Sequence, residues 1–166
     1  MTRTLQALSA GWLTLMLACG PAAGAAKPAA AWPTYRHDAS RSGIASEDLA
    51  PSLAPAWTFV PPLPPEHAWG DPQPKPIEHN LELPRLRFDD AYHVAAGQGI
   101  VTFGSSADGQ VYALDAATGA LRWRFPTEGP IRCAPTLAGG RVYVGSDDGR
   151  VYCLRARDGS EVWTFE

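Results

Sequence analysis

The chain has 166 residues, of which 45% are hydrophobic and 19% charged, with a formal net charge of −3. That is enough for one domain with a core, and it excludes a chain too polar to fold. It lacks the basic excess that marks a partner of nucleic acid or of an anionic membrane surface, and three cysteines are too few for a disulfide-dense scaffold.

Taken in order, residues 1–25 read as a signal peptide. Arg3 is the only charged side chain before Lys27, and Leu5 to Ala18 is largely apolar yet shorter than a membrane span requires. Ala23-Gly24-Ala25 is an A-x-A site, which predicts cleavage before Ala26. Met16-Leu17-Ala18-Cys19 offers an alternative, lipidation of Cys19. Either route exports the chain, to a soluble periplasmic or extracytoplasmic state in the first case and to a membrane anchor through Cys19 in the second.

Residues 26–52 form an N-terminal extension, and residues 53–60 an orphan outer strand separated from its own blade. Residues 61–86 are a Pro-rich insertion. Ten of the sixteen prolines lie between Pro51 and Pro84, and such runs cannot donate to a strand ladder and favour extended polyproline geometry. A loop of this length is either a surface excursion or a recognition arm for a partner.

Residues 87–126 and 127–166 are two copies of one unit. Val111 to Trp123 returns forty residues later as Val151 to Trp163, with Gly109 on Gly149, Tyr112 on Tyr152, Leu114 on Leu154 and Gly119 on Gly159. Trp57-Thr58-Phe59 is a third, short echo of Trp123-Arg124-Phe125. Within a copy, Val111 to Leu114 is apolar, β-prone and too short for a helix. Asp115 and Gly119 make a turn. Ala120 to Phe125 alternates, with Leu121, Trp123 and Phe125 on one face. Ile100 to Phe103 and Arg141 to Val144 are further strands, and Asp108-Gly109 and Asp148-Gly149 supply hairpin turns. Four short antiparallel strands in about forty residues make a propeller blade, so the fold class is all-β, about two blades plus the orphan strand.

Ala113, Asp115, Thr118, Gly119 and Trp123 match the A-x-D-x-x-T-G-x-x-x-W motif of pyrroloquinoline-quinone-type (PQQ-like) propeller repeats, which the chain resembles. The second copy keeps Gly159 and Trp163 but has Cys153, Arg155 and Asp158 at the Ala, Asp and Thr positions. Trp32 to Asp38 is similar to the mature N-terminus of many such proteins. The resemblance implies a closed ring of four to eight blades, so the chain is expected to be the N-terminal part of a longer protein, with the orphan strand joining the last blade. It implies either of two functions. One is that of the propeller subunit of bacterial outer-membrane assembly machinery, a non-enzymatic scaffold for an envelope protein partner. The other is that of a quinone-dependent dehydrogenase oxidising an alcohol or sugar, with PQQ and calcium held by Glu, Asn and Asp and often a disulfide between adjacent cysteines.

The residues themselves favour the scaffold. No Cys-x-x-Cys, H-E-x-x-H, G-x-S-x-G or phosphate loop is present, and no catalytic, cofactor-binding or metal residue is assigned. Asp89, Asp90 and His93 are a weak metal candidate, because they lead into a strand and not along a helix. Trp123 and Trp163 recur at a fixed strand position, which points to packing between blades and not to one special cofactor stack. Cys133 and Cys153, placed on the first and third strands of the second blade, lie too far apart for a disulfide and are expected as two free, buried thiols.

Overall fold

The computed structural model describes residues 31–45, 47–68 and 89–166. Eight strands follow one another: β1 (Val94–Gly97), β2 (Ile100–Gly104), β3 (Gln110–Asp115), β4 (Leu121–Pro126), β5 (Thr136–Ala138), β6 (Arg141–Gly145), β7 (Val151–Arg155) and β8 (Glu161–Phe165). They form two four-stranded antiparallel sheets, β1-β2-β3-β4 and β5-β6-β7-β8, as the forty-residue period predicts. Among the described residues no helix is long and apolar enough to cross a membrane. The signal peptide, the Cys19 site, residues 69–86 of the Pro-rich insertion and residues 87–88 at the start of the first copy lie outside the described residues.

Side-chain alternation decides which face of each sheet is buried. The pairing of Thr102 with Ala113 and of Ala113 with Trp123 puts these residues on one face of the first sheet. That face meets Val142, Val144, Tyr152 and Leu154 of the second sheet, and Ile131 from the linker, in the main core. The opposite face carries Phe103, Tyr112 and Leu114, against which Trp57, Phe59 and Tyr92 pack. The rings of Phe103 and Tyr112 stack 5.1 Å apart. Residues 53–60, expected as an outer strand, carry no strand pairing. They dock by side chains alone, Trp57 and Phe59 covering the flank that a preceding blade would cover.

The outward face of the second sheet has no such cover among the described residues. Val151, Trp163 and Phe165 are 41%, 40% and 70% exposed there, whereas Trp123, at the equivalent place in the first sheet, is 8% exposed.

The segment from Trp32 laces the sheets together. Trp32 and Ala96 exchange backbone bonds of 2.7 and 2.8 Å, the Pro33 carbonyl accepts the Leu137 N–H at 2.7 Å, and the Thr34 and Thr136 hydroxyls meet at 2.8 Å. One short stretch thereby satisfies backbone groups on the free edges of both β1 and β5, which would otherwise stand as open pairing templates.

Candidate functional site

The repeat motif builds a joint between blades. In the first sheet Asp115 accepts the N–H groups of Ala117 and Thr118 at 3.0 and 2.9 Å and the Thr118 hydroxyl at 3.0 Å, an Asx-type turn. Arg122 closes on its other oxygen at 2.7 Å. Arg122 and the hydroxyl and N–H of Thr118 hold the Asp115 carboxyl down at about 2. Gly119 ends the turn at φ +73, and a Cβ there would lie 2.6 Å from the Trp57 ring. The indole thus lies flat on a surface only glycine provides, and its N–H donates to the Ala116 carbonyl at 3.1 Å. The joint recurs one blade on: a Cβ at Gly159 would lie 2.6 Å from the Trp123 ring, and Trp123 donates to the Ala156 carbonyl at 2.9 Å.

A second device repeats with it. The Tyr112 hydroxyl donates to Asp108 at 2.6 Å and that of Tyr152 to Asp148 at 2.7 Å, each tying a strand to the hairpin turn before it. Burial, then the Asp108 carboxylate, pushes the Tyr112 phenol up to about 12. The signal was available in the sequence as an aspartate four residues before a tyrosine, recurring at forty.

The root of the Pro-rich insertion is fixed. The Glu66 N–H donates to Ser106 at 2.8 Å, Tyr92 donates to the Leu63 carbonyl at 2.7 Å, and His67 bonds Asp90 at 2.8 Å. Arg132 is the knot: it donates to Asp147 at 2.6 Å, Asp89 at 2.9 Å and the Glu66 carbonyl at 3.0 Å. Beside this knot, where β1 and β5 begin, opens a cavity of about 450 Å³ lined by Tyr35, Arg41, His93, Arg132, Cys133 and Thr136 among others.

The family model described as outer membrane protein assembly factor BamB matches residues 57–166, most of the chain. The chain belongs to the PQQ-like β-propeller repeat family. Solved structures similar to this PQQ-like chain include BamB from Moraxella catarrhalis, 22% identical over 48% of this chain and 26% of that one, at a TM-score of 0.41. They also include quinohemoprotein alcohol dehydrogenase ADHIIG from Pseudomonas putida HK5, 32% identical over 43% of this chain and 12% of that one, TM-score 0.41, and a europium-containing methanol dehydrogenase, 26% identical over 46% and 15%, TM-score 0.40. The chain therefore spans about a quarter or less of each. No curated protein matches it.

Against the PQQ-like motif, Asp115, Thr118 and Gly119 build the turn on which Trp57 lies, while Trp123, paired with Ala113 in the sheet, reaches the next blade and lies on Gly159. Trp163 has no turn to lie on among the described residues. The departures of the second copy have a compensation. Arg155 replaces the capping aspartate, and Asp158 takes over, accepting the Ser160 N–H at 3.1 Å and its hydroxyl at 2.6 Å. Ser160, then Arg157, holds the Asp158 carboxyl well below the usual range.

Other expected residues are not brought together. Asp89 goes to Arg132 and Asp90 to His67, while His93 sets its ring edge-on to Tyr35 at 6.3 Å. Both Cys133 and Cys153 are free thiols, but only Cys153 is buried. Cys133 is exposed because β5 starts later than its sequence suggests, at Thr136. The expectation of two buried thiols therefore fails for Cys133. Among the described residues no three His, Cys, Asp or Glu side chains converge.

Proposed function

We propose that this protein is an exported, non-enzymatic PQQ-like propeller that scaffolds protein interactions in the cell envelope, presenting the Pro-rich insertion to a protein partner. The observation that carries the reading is the family match across residues 57–166, described by an outer-membrane assembly factor. Two features support it. The repeat-motif side chains of the first blade are spent on the joint between blades. The insertion leaves the blade from a root held by Arg132, Tyr92 and Ser106, which suits a loop whose base must be rigid to place its tip.

The test is a photo-crosslinker at a residue of the insertion, in cells. Discrete adducts with one or a few envelope proteins are expected, lost when residues 69–86 are replaced by a Gly/Ser chain of equal length. In parallel, PQQ with calcium is added to the intact protein, and dye reduction on simple alcohols should not occur. Reproducible turnover would replace the scaffold by the dehydrogenase reading. Mass spectrometry of the mature N-terminus checks export: cleavage before Ala26 gives a soluble protein, an acylated Cys19 an anchored one, and an intact Met1 defeats both.

A further inference from the structure

The cavity at the start of the inner strands has the features of a ligand site that neither blade repeat nor insertion explains. Its volume, about 450 Å³, lies in the range of small-molecule sites. Its wall is more apolar than polar and, among the described residues, includes no carboxylate. Two guanidinium groups reach it, in different states. The charge of Arg132 is met by Asp89 and Asp147. That of Arg41 is met by no acid side chain among the described residues, yet the group is held in place. Its Nη1 donates to the Thr34 hydroxyl at 3.1 Å and the Tyr35 carbonyl at 2.8 Å, and it lies 5.8 Å from the centre of the Tyr35 ring. These bonds leave its Nε and Nη2, the edge of a guanidinium that matches a carboxylate.

The backbone supplies an independent sign. Of the five non-glycine residues with positive φ among the described residues, Arg36, His37 and Arg41 belong to the turn that carries Arg41, and Asp89 holds Arg132. Non-glycine residues in the left-handed region are costly and gather at ligand clamps.

We propose that this cavity binds an organic carboxylate carried on a compact apolar body. The Nε–Nη2 edge of Arg41 receives the two oxygens, and the rings of Tyr35 and His93, at 89° to each other, wall the body.

The test uses the intact protein. Cys133 is an exposed thiol in the cavity wall and Cys153 is buried, so the rate at which iodoacetamide alkylates Cys133, read by peptide mass, reports occupancy. Sodium benzoate is expected to slow it saturably; benzamide, the neutral isostere, is not. Arg41→Gln should raise the half-protecting concentration by about tenfold or more, and Arg41→Lys, which keeps the charge without the fork, by less. Ala134→Leu crowds the wall without touching a bond of Arg41 and should also remove protection, which keeps the test decisive if Arg41→Gln fails to fold. A second arm separates two sources of the carboxylate, using acetyl-Gly-Ala-Phe with a free terminus against its amide. Protection by the peptide acid below the benzoate concentration assigns the cavity to a polypeptide C-terminus, and the reverse to a free small carboxylate. No protection by either acid, equal protection by benzoate and benzamide, or unchanged protection in a folded Arg41→Gln protein overturns the proposal.

Discussion

The joint between blades makes a quantitative prediction about Trp123 and Gly159. Trp123 is 8% exposed, and its loss to alanine opens a cavity that typically costs about 3–5 kcal/mol. Its N–H bond to Ala156 contributes about 1 kcal/mol of that order. Gly159→Ala has two separate costs. A side chain at φ +72 costs about 1–2 kcal/mol for the left-handed backbone, and the new Cβ, 2.6 Å from the indole, forces a shift worth about 1–3 kcal/mol. Only the second depends on Trp123. In the double variant the indole is gone and the new methyl enters the space it left. The two single costs therefore do not add, and their sum exceeds the double by about 1–3 kcal/mol. Urea unfolding of the intact protein, followed by far-UV circular dichroism, measures all four corners of the cycle without using the tryptophan signal that one variant removes. Additivity within about 0.5 kcal/mol would refute the contact as the origin of the glycine requirement.

Gly104 and Gly145 end equivalent strands, but a Cβ at Gly104 would enter the Ile131 side chain whereas one at Gly145 meets nothing within 4 Å; Gly104→Ala should cost about 1–3 kcal/mol or more and Gly145→Ala nearly nothing, read as a difference in thermal midpoint. Asp115 is held at about 2, below its unfolded value of about 3.9, so its contribution is complete above pH 4 and is lost as pH falls through about 2; Asp115→Asn should destabilise the protein at pH 7 by more than at pH 2. For Tyr112 the sign reverses: with its phenol pushed up to about 12 from about 10, its contribution is complete below pH 10 and declines as pH rises through 12, a decline that Tyr112→Phe should remove from the alkaline unfolding curve. Residues 27–166 produced alone, with Val151, Trp163 and Phe165 exposed on one face, are expected to aggregate or stay loosely packed; a sharp, reversible thermal transition would contradict this.

The strands and the joint were legible because both are local and periodic. Val111 to Leu114 lies within β3, and Leu121, Trp123 and Phe125 fall on β4. The glycine on which each indole lies is the glycine that the aligned copies share. What was not legible depends on distance along the chain. Thr34 meets Thr136 across 102 residues, and Arg132 gathers Glu66, Asp89 and Asp147; nothing in the spacing of those residues announces a meeting. The exposure of Cys133 escaped for a different reason. Pro130 and Pro135 break up the stretch around it and delay β5 until Thr136, so Cys133 stays outside the ladder in which its position in the repeat would set it.

The lacing by residues 32–34 also fixes an order of events as the chain emerges and folds. Pro33 and Thr34 emerge early, but the groups they must reach, the Leu137 N–H and the Thr136 hydroxyl, come much later, Thr136 lying 102 residues beyond Thr34. Over that interval the two hairpins of the first sheet can close on neighbours already present, while Pro33 and Thr34 wait with their partners unmade. The segment at the front of the chain is then among the last to settle, and loop closure over so long a separation slows it further. Because Tyr35 and Arg41 ride on that segment, the cavity they line comes into being only once the innermost strand of the second sheet is in place.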